Sequence, residues 1–243
     1  MLEESSDLDF NFWPSFADSM LAVVFILVVI LVFVAQQGLT GLSDVRESQS
    51  AVVQNIVARY DGTLDTLQQT VTEGRYVIRS GGEPEVRINQ DVQLQRITFS
   101  GNVLFSQNDY RLTRRGQEVL QDIGKSIQPQ LGRIQQIQIE GHTDLLPTDR
   151  YSGGNLELGY RRARSVFRFL EEKVGIDPVQ HLMSATSYGP YRPAGRSAGS
   201  TYDEDKLWEA NNSEEERQRN RRIELLLFYS NSEEPSAASS RPE

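Results

Sequence analysis

The sequence predicts an α/β protein with a single N-terminal transmembrane helix, an amphipathic connector helix and a mixed-sheet α/β sandwich. Three observations carry this. Residues 15–35 are apolar except near their start, a stretch long enough for the ~30 Å hydrocarbon layer at about 1.5 Å per residue. Val45, Val52, Ile56, Tyr60, Leu64, Leu67 and Val71 recur at steps of three, four and seven, the mark of a helix with a narrow apolar stripe. Beyond residue 90 the pattern alternates between extended and helical periods and closes on an apolar strand, which predicts helices packed on a mixed sheet.

Taken in order, residues 1–12 form an acidic tail, 13–35 the transmembrane helix and 36–90 a connector. Residues 91–230 form the folded domain and 231–243 a disordered tail rich in Ser, Pro and Glu. No positive region precedes the apolar stretch and no small-residue cleavage site follows it, so it reads as a retained anchor. The narrow connector stripe suits pairing with a second copy, which predicts a homodimer. Short strands are expected at 75–79, 85–89 and 92–99, with another at 103–105. A helix is expected around Leu112–Ile127, then a strand at 134–140, a helix at 156–174 and strands at 182–187 and 222–229. Residues between Gly189 and Asn220 are rich in Gly, Ser and acids, and read as an exposed excursion.

Asp18 is the one ionisable group in the apolar stretch. With Ser15 and Ser19, at spacings i, i+3 and i+4, it makes a small polar face that lipid cannot satisfy. An intramembrane acid costs about 2.5–3.5 kcal/mol on insertion scales and signals function. The plain alternative is that Trp13 and Pro14 start the helix and Asp18 only complements its positive end. A net charge of −9, with no basic stripe, argues against nucleic-acid binding. Zero cysteines exclude a disulfide framework and thiolate chemistry. The two histidines, His142 and His181, lie far apart with no acidic partner at ligand spacing, so no metal is expected. No nucleophile–base set or phosphate loop is present, and no enzyme activity or cofactor is expected.

The helix at 156–174 buries Ala163, Val166, Phe167, Leu170 and Val174. At about 100° per residue Arg162 lies about 40° from Val166, whereas Arg161, Arg164 and Arg168 point about 140–160° away. Arg162 is therefore the arginine held at the core edge, and Asp144 closes the preceding strand in a loop that can face it. The pair can receive a zwitterion, with Asp144 taking an ammonium and Arg162 a carboxylate. Alternatively they form a salt bridge that staples strand to helix.

Three spaced motifs carry a resemblance: Gly141-His-Thr-Asp144; Asn155, Leu158, Arg162, Ala163 and Val166 on one helix; and Asn220-Arg-Arg-Ile-Glu224. Over roughly residues 95–229 the chain resembles the OmpA-like peptidoglycan-binding domain. The resemblance implies binding of the diaminopimelate stem peptide through Asp144, Asn155, Leu158, Arg162 and Arg222. Gly159 departs from the family's usual Ser, which loses a hydroxyl and weakens the helix by about 1 kcal/mol.

The opening Trp13-Pro-Ser-Phe-Ala-Asp18-Ser-Met20 is similar to the head of the span in the MotB family of ion-driven stator subunits. That implies Asp18 as ion carrier, with H+ expected ahead of Na+ as the translocated cation. It also implies a dimer inside a pentamer of a polytopic MotA-like or ZorA-like partner, and an inner-membrane location with the N-terminus cytoplasmic and the domain periplasmic. The acidic tail resembles the non-flagellar branch, which includes the Zorya anti-phage defence system.

Overall fold

The computed structural model describes residues 13–59, 63–69, 73–80, 83–197 and 199–230; both expected tails lie outside them. The chain divides into two compact units that meet at Ser43 and Asp44. Helix α1 runs Trp13–Arg59. Its stretch Trp13–Gln36, 24 residues, is the one helix among the described residues long and apolar enough to cross a membrane. Leu21, Phe25, Leu31 and Phe33 are exposed along it, and a helix apolar all round belongs in lipid or in a large core.

The second unit is a seven-stranded sheet: β1 Thr63–Gln69, β2 Gly74–Ser80, β3 Glu83–Gln90, β4 Leu94–Ser100, β5 Ile134–His142, β6 Leu182–Gly189 and β7 Arg222–Tyr229. The spatial order is β1-β2-β3-β4-β7-β5-β6. All pairs are antiparallel except β5–β6, the one parallel pair. A parallel pair needs a crossover, and helix α4, Gly154–Phe169, supplies it. Helix α3, Arg114–Ile127, begins at Thr113, whose side chain accepts from the Gly116 amide. Ile97, Phe99, Ile137, Ile139, Ile223 and Leu225 bury one sheet face against Val119 and Ile123 of α3 and Val166 of α4.

Two expectations are corrected here. Val45, Val52 and Ile56 belong to this same core and are fully buried, so the connector's stripe is used within the chain and does not offer a pairing surface. Gln49 fixes its position, donating to the Asp91 carbonyl and accepting at its own carbonyl from Gln95. The stripe ends because α1 stops at Arg59 and β1 follows, leaving Leu67 on a strand, 64% exposed; Tyr60 and Val71 lie outside the described residues. Residues 103–105 are not a strand. Gly101–Leu104 is a single helical turn, α2, and Phe105 only bridges Leu112. The 190–220 excursion is mostly exposed among its described residues and carries two short helices, α5, Glu204–Glu209, and α6, Glu214–Asn220, the latter with a full capping box at Ser213 and Glu216.

Gly159 has a packing reason. A Cβ there would stand 2.3 Å from Ser187 Oγ, and a Cβ on Gly141 would stand 2.0 Å from the Gly159 carbonyl oxygen. Helix α4 therefore lies close against the ends of β5 and β6, and a side chain at 159 would require the Ser187 hydroxyl to move aside.

Candidate functional site

A groove of about 430 Å³ opens at the end of the sheet between α2, the loop after β5, α4 and α6. Its acids are Asp144 and Glu214, and its arginines are Arg162 and Arg221. The balance of two and two makes it zwitterionic. Leu158, buried on α4, and Phe105 form its apolar wall.

Each charged group is positioned by identifiable contacts. Asp144 Oδ1 accepts from the Leu146 amide at 3.2 Å. Asn155, the second residue of α4, donates to the carbonyls of Asp144 (3.1 Å) and Leu146 (2.8 Å), tying the loop to the helix. Asn211 of the excursion accepts from the Leu145 amide at 3.2 Å. Arg162 is only 5% exposed. Its Nε donates to the Asp109 carbonyl at 2.8 Å and its guanidinium lies 5.2 Å over the Phe105 ring. Burial pushes its pKa down to about 10, the nearby Arg221 charge adding to the fall while Tyr151, Asp144 and Asp109 oppose it. Arg162 remains a cation at neutral pH, in a setting where an added carboxylate would be favoured.

The loop that presents the Asp109 carbonyl is itself pinned by charge. The Arg111 guanidinium and the amides of Arg111 and Tyr110 hold the Asp109 carboxyl well down, at about 2.

Asp144 and Arg162 face one groove but do not form the staple. Asp144 Oδ2 pairs instead with Arg221 Nη1 at 2.5 Å, and Arg221 Nη2 pairs with Glu214. Burial opposes the charge on Arg221, yet these two carboxylates outweigh it and hold its pKa above the ordinary arginine value. The sequence reading missed Arg221. Arg222 is corrected: it does not line the groove but turns beneath the excursion, its Nε on Glu224 Oε1 at 2.6 Å and a terminal nitrogen on the Arg192 carbonyl at 3.2 Å.

Arg222 belongs to a closed ionic cluster on the outer face of the sheet. Glu140 and Glu224 stand directly opposite one another on β5 and β7, an arrangement that is unfavourable without counter-charge. Arg192 reaches Glu140 at 2.6 Å and Arg96 lies 3.1 Å from Glu224, in poor hydrogen-bond alignment. His142, 1% exposed, stacks on Tyr188 at 5.4 Å, and neither ring nitrogen has a hydrogen bond. Burial lowers its pKa, so it is neutral. The fold thus gives His142 the acidic neighbours that spacing hid, and donor atoms of Glu140, His142 and Glu224 lie within 4.8 Å of one another. Three guanidinium groups already exceed the two carboxylates, and a divalent ion would add to that excess.

Residues 104–221 match the OmpA family. They form an OmpA-like domain. A peptidoglycan-associated lipoprotein of Buchnera aphidicola is 31% identical over 105 residues, 43% of this chain and 56% of its own length. The chain thus spans little more than half of that curated relative. A MotB-like protein from Desulfovibrio vulgaris superposes with a TM-score of 0.57 at 20% identity, over 78% of this chain and 96% of its own. The periplasmic domain of Helicobacter pylori MotB gives 0.49 at 24% identity over 65% and 88%. At these identities the structural likeness concerns the fold. The OmpA-like domain brings together Asp144, Asn155, Leu158 and Arg162 from the expected set, and replaces Arg222 with Arg221.

At the other unit, Asp18 lies beyond the first turn of α1, which contains no acid. The helix-end field falls off within that turn, so capping accounts poorly for this carboxylate. Ser15 and Ser19 share its face, and the Ser19 hydroxyl donates to the Ser15 carbonyl at 2.8 Å.

Proposed function

We propose that this chain is the wall-anchored subunit of an ion-driven motor of the MotB type. Its OmpA-like domain holds peptidoglycan, and Asp18 carries the cation. The observation that carries the reading is the zwitterionic groove, in which Arg162 is buried, charged and set apart from Asp144. A diaminopimelate centre presents an ammonium and a carboxylate on one carbon. Arg162 takes the carboxylate, while the ammonium joins Asp144 beside Arg221, with Glu214 behind it.

The span adds the motor. Ionised Asp18 attracts a proton, neutralisation lets it pass an apolar partner surface, and release restores the charge. One charge crossing 100 mV supplies about 2.3 kcal/mol, enough to bias a bistable interface. Two copies stand within a polytopic pentamer of the MotA or ZorA kind, the N-terminus cytoplasmic and the folded unit periplasmic, so that wall binding supplies the reaction torque. The contact between the copies lies away from Val45, Val52 and Ile56, which the core consumes. The acidic opening, Glu3, Glu4, Asp7 and Asp9, favours the Zorya defence branch, with the chain as its ZorB component, over a flagellar stator.

Asp18→Asn is nearly isosteric and cannot cycle a proton. It is expected to abolish motility or phage protection in cells while purified sacculi still retain the protein; activity that persists would leave a passive tether. That second reading is favoured by the likeness to a peptidoglycan-associated lipoprotein. Arg162→Ala is expected to release the protein from sacculi, and full retention would end the wall-binding assignment.

A further inference from the structure

A second groove, of about 870 Å³, adjoins the first and shares Asn102 and Gln218 with it. Four arginines, Arg87, Arg115, Arg219 and Arg222, line it against one acid, Glu215. On a chain of net charge −9 this is a concentrated positive site. Arg222 is committed to Glu224, and Arg115 has Glu118 at 4.0 Å. Arg87 and Arg219 differ: among the described residues neither has an ion pair with a carboxylate.

Arg87 is half-buried on β3, on the face opposite the core-facing Val86 and Ile88. Its strand partner is Thr98, whose own partner on β7 is Glu224, already engaged by Arg222 and close to Arg96. Arg219 projects from α6, the same helix that brings Glu214 to the first groove. Burial first, then the charges of Arg219 and Arg79, lower the Arg87 pKa. An oxyanion between the two guanidinium groups would relieve this repulsion, and arginine offers the planar fork such a group prefers. Thr98 and Ser100 add hydroxyls to the same wall.

We propose that this groove is a second wall-contact site, taking a further carboxylate of the peptidoglycan polymer between Arg87 and Arg219. The shared residues Asn102 and Gln218 make the two grooves contiguous, so one polymer segment can occupy both. This rests on the wall-binding reading above, and its test separates the two. Full-length protein in detergent is titrated with soluble muropeptides carrying free carboxylates and with the same muropeptides amidated, for the parent, for Arg87→Gln/Arg219→Gln and for Arg162→Ala.

The parent is expected to lose affinity on amidation, and the double variant to show that loss reduced about tenfold, as removal of a charge-assisted contact predicts. Arg87→Lys/Arg219→Lys, which keeps the charge, retains part of the effect. Parent binding with an undiminished amidation loss in the double variant overturns the second site and leaves the first groove standing. A parent that binds neither form overturns both. Unchanged muropeptide binding with lost binding to phosphatidylglycerol vesicles assigns the groove to the membrane and overturns the proposal. Should the double variant melt early, Arg219→Gln alone, at an exposed position, carries the same comparison.

Discussion

Arg221 and Arg222 are adjacent, identical in chemistry and opposite in use. Arg221 precedes β7 and swings into the open groove, where it bridges Asp144 and Glu214 at partial exposure. Arg222 is the first residue of β7, on the face away from Ile223 and Leu225, and lies 5% exposed in a cluster roofed by the excursion. The open cluster keeps Arg221 and Glu214 beside solvent, with Asp144 buried behind them, and can exchange partners with a ligand. The closed one has desolvated its charges and has to satisfy them internally. Charge on a binding surface is thus adjustable, whereas charge beneath a loop is structural.

The largest expected effect tests the closed side. Arg222→Ala leaves Glu224 buried beside Glu140 with only the poorly aligned Arg96 nearby, and should cost about 3–5 kcal/mol in chemical denaturation. A loss near zero would place the cluster in contact with water and erase the contrast. Next, Gly141→Ala drives a methyl into the Gly159 carbonyl and should cost about 3 kcal/mol. Because this contact sets α4, the source of Arg162 and Asn155, sacculus retention should fall with stability.

A smaller effect concerns His142. Its folded-state pKa is lowered, so the unfolded chain binds the extra proton first. Stability is full above the unfolded value, about 6.5, and declines as pH falls below it. Melting temperature followed from pH 7 to pH 5 should drop, and a His142→Gln variant should flatten that slope. The smallest effect is on the open side. Arg221→Ala, at a partly exposed pair, should change stability by about 1 kcal/mol or less, yet reduce retention on sacculi by more than that change explains. Equal penalties for Arg221→Ala and Arg222→Ala would break the comparison outright.

Much of this molecule was legible in local pattern. The long apolar run sets a helix long enough to cross a bilayer, because its length matches the hydrocarbon thickness at the helical rise. Arg162 could be placed at a core edge from angular position alone, and β7 from its apolar run. The start of that strand held a signal for the closed cluster, since Arg222 and Glu224 at i, i+2 share one strand face. What period cannot give is the partner across a sheet. That Glu140 meets Glu224, that His142 has acidic neighbours and that Arg87 stands near Arg219 all depend on strand order and register.

By itself, then, the sequence determined the long apolar helix with Asp18 set in it, the strand–helix–strand run of β5, α4 and β6 with the closing β7, and the placing of Asp144 and Arg162 at one sheet end. All are consequences of spacing within a few residues. Tertiary structure alone decided that the connector's stripe joins the core, that Gly159 answers to Ser187, and that Arg221 rather than Arg222 reaches the groove. Each depends on which distant segment occupies the neighbouring space, and packing that excludes a methyl or pairs a buried charge is settled only when the whole sheet has closed.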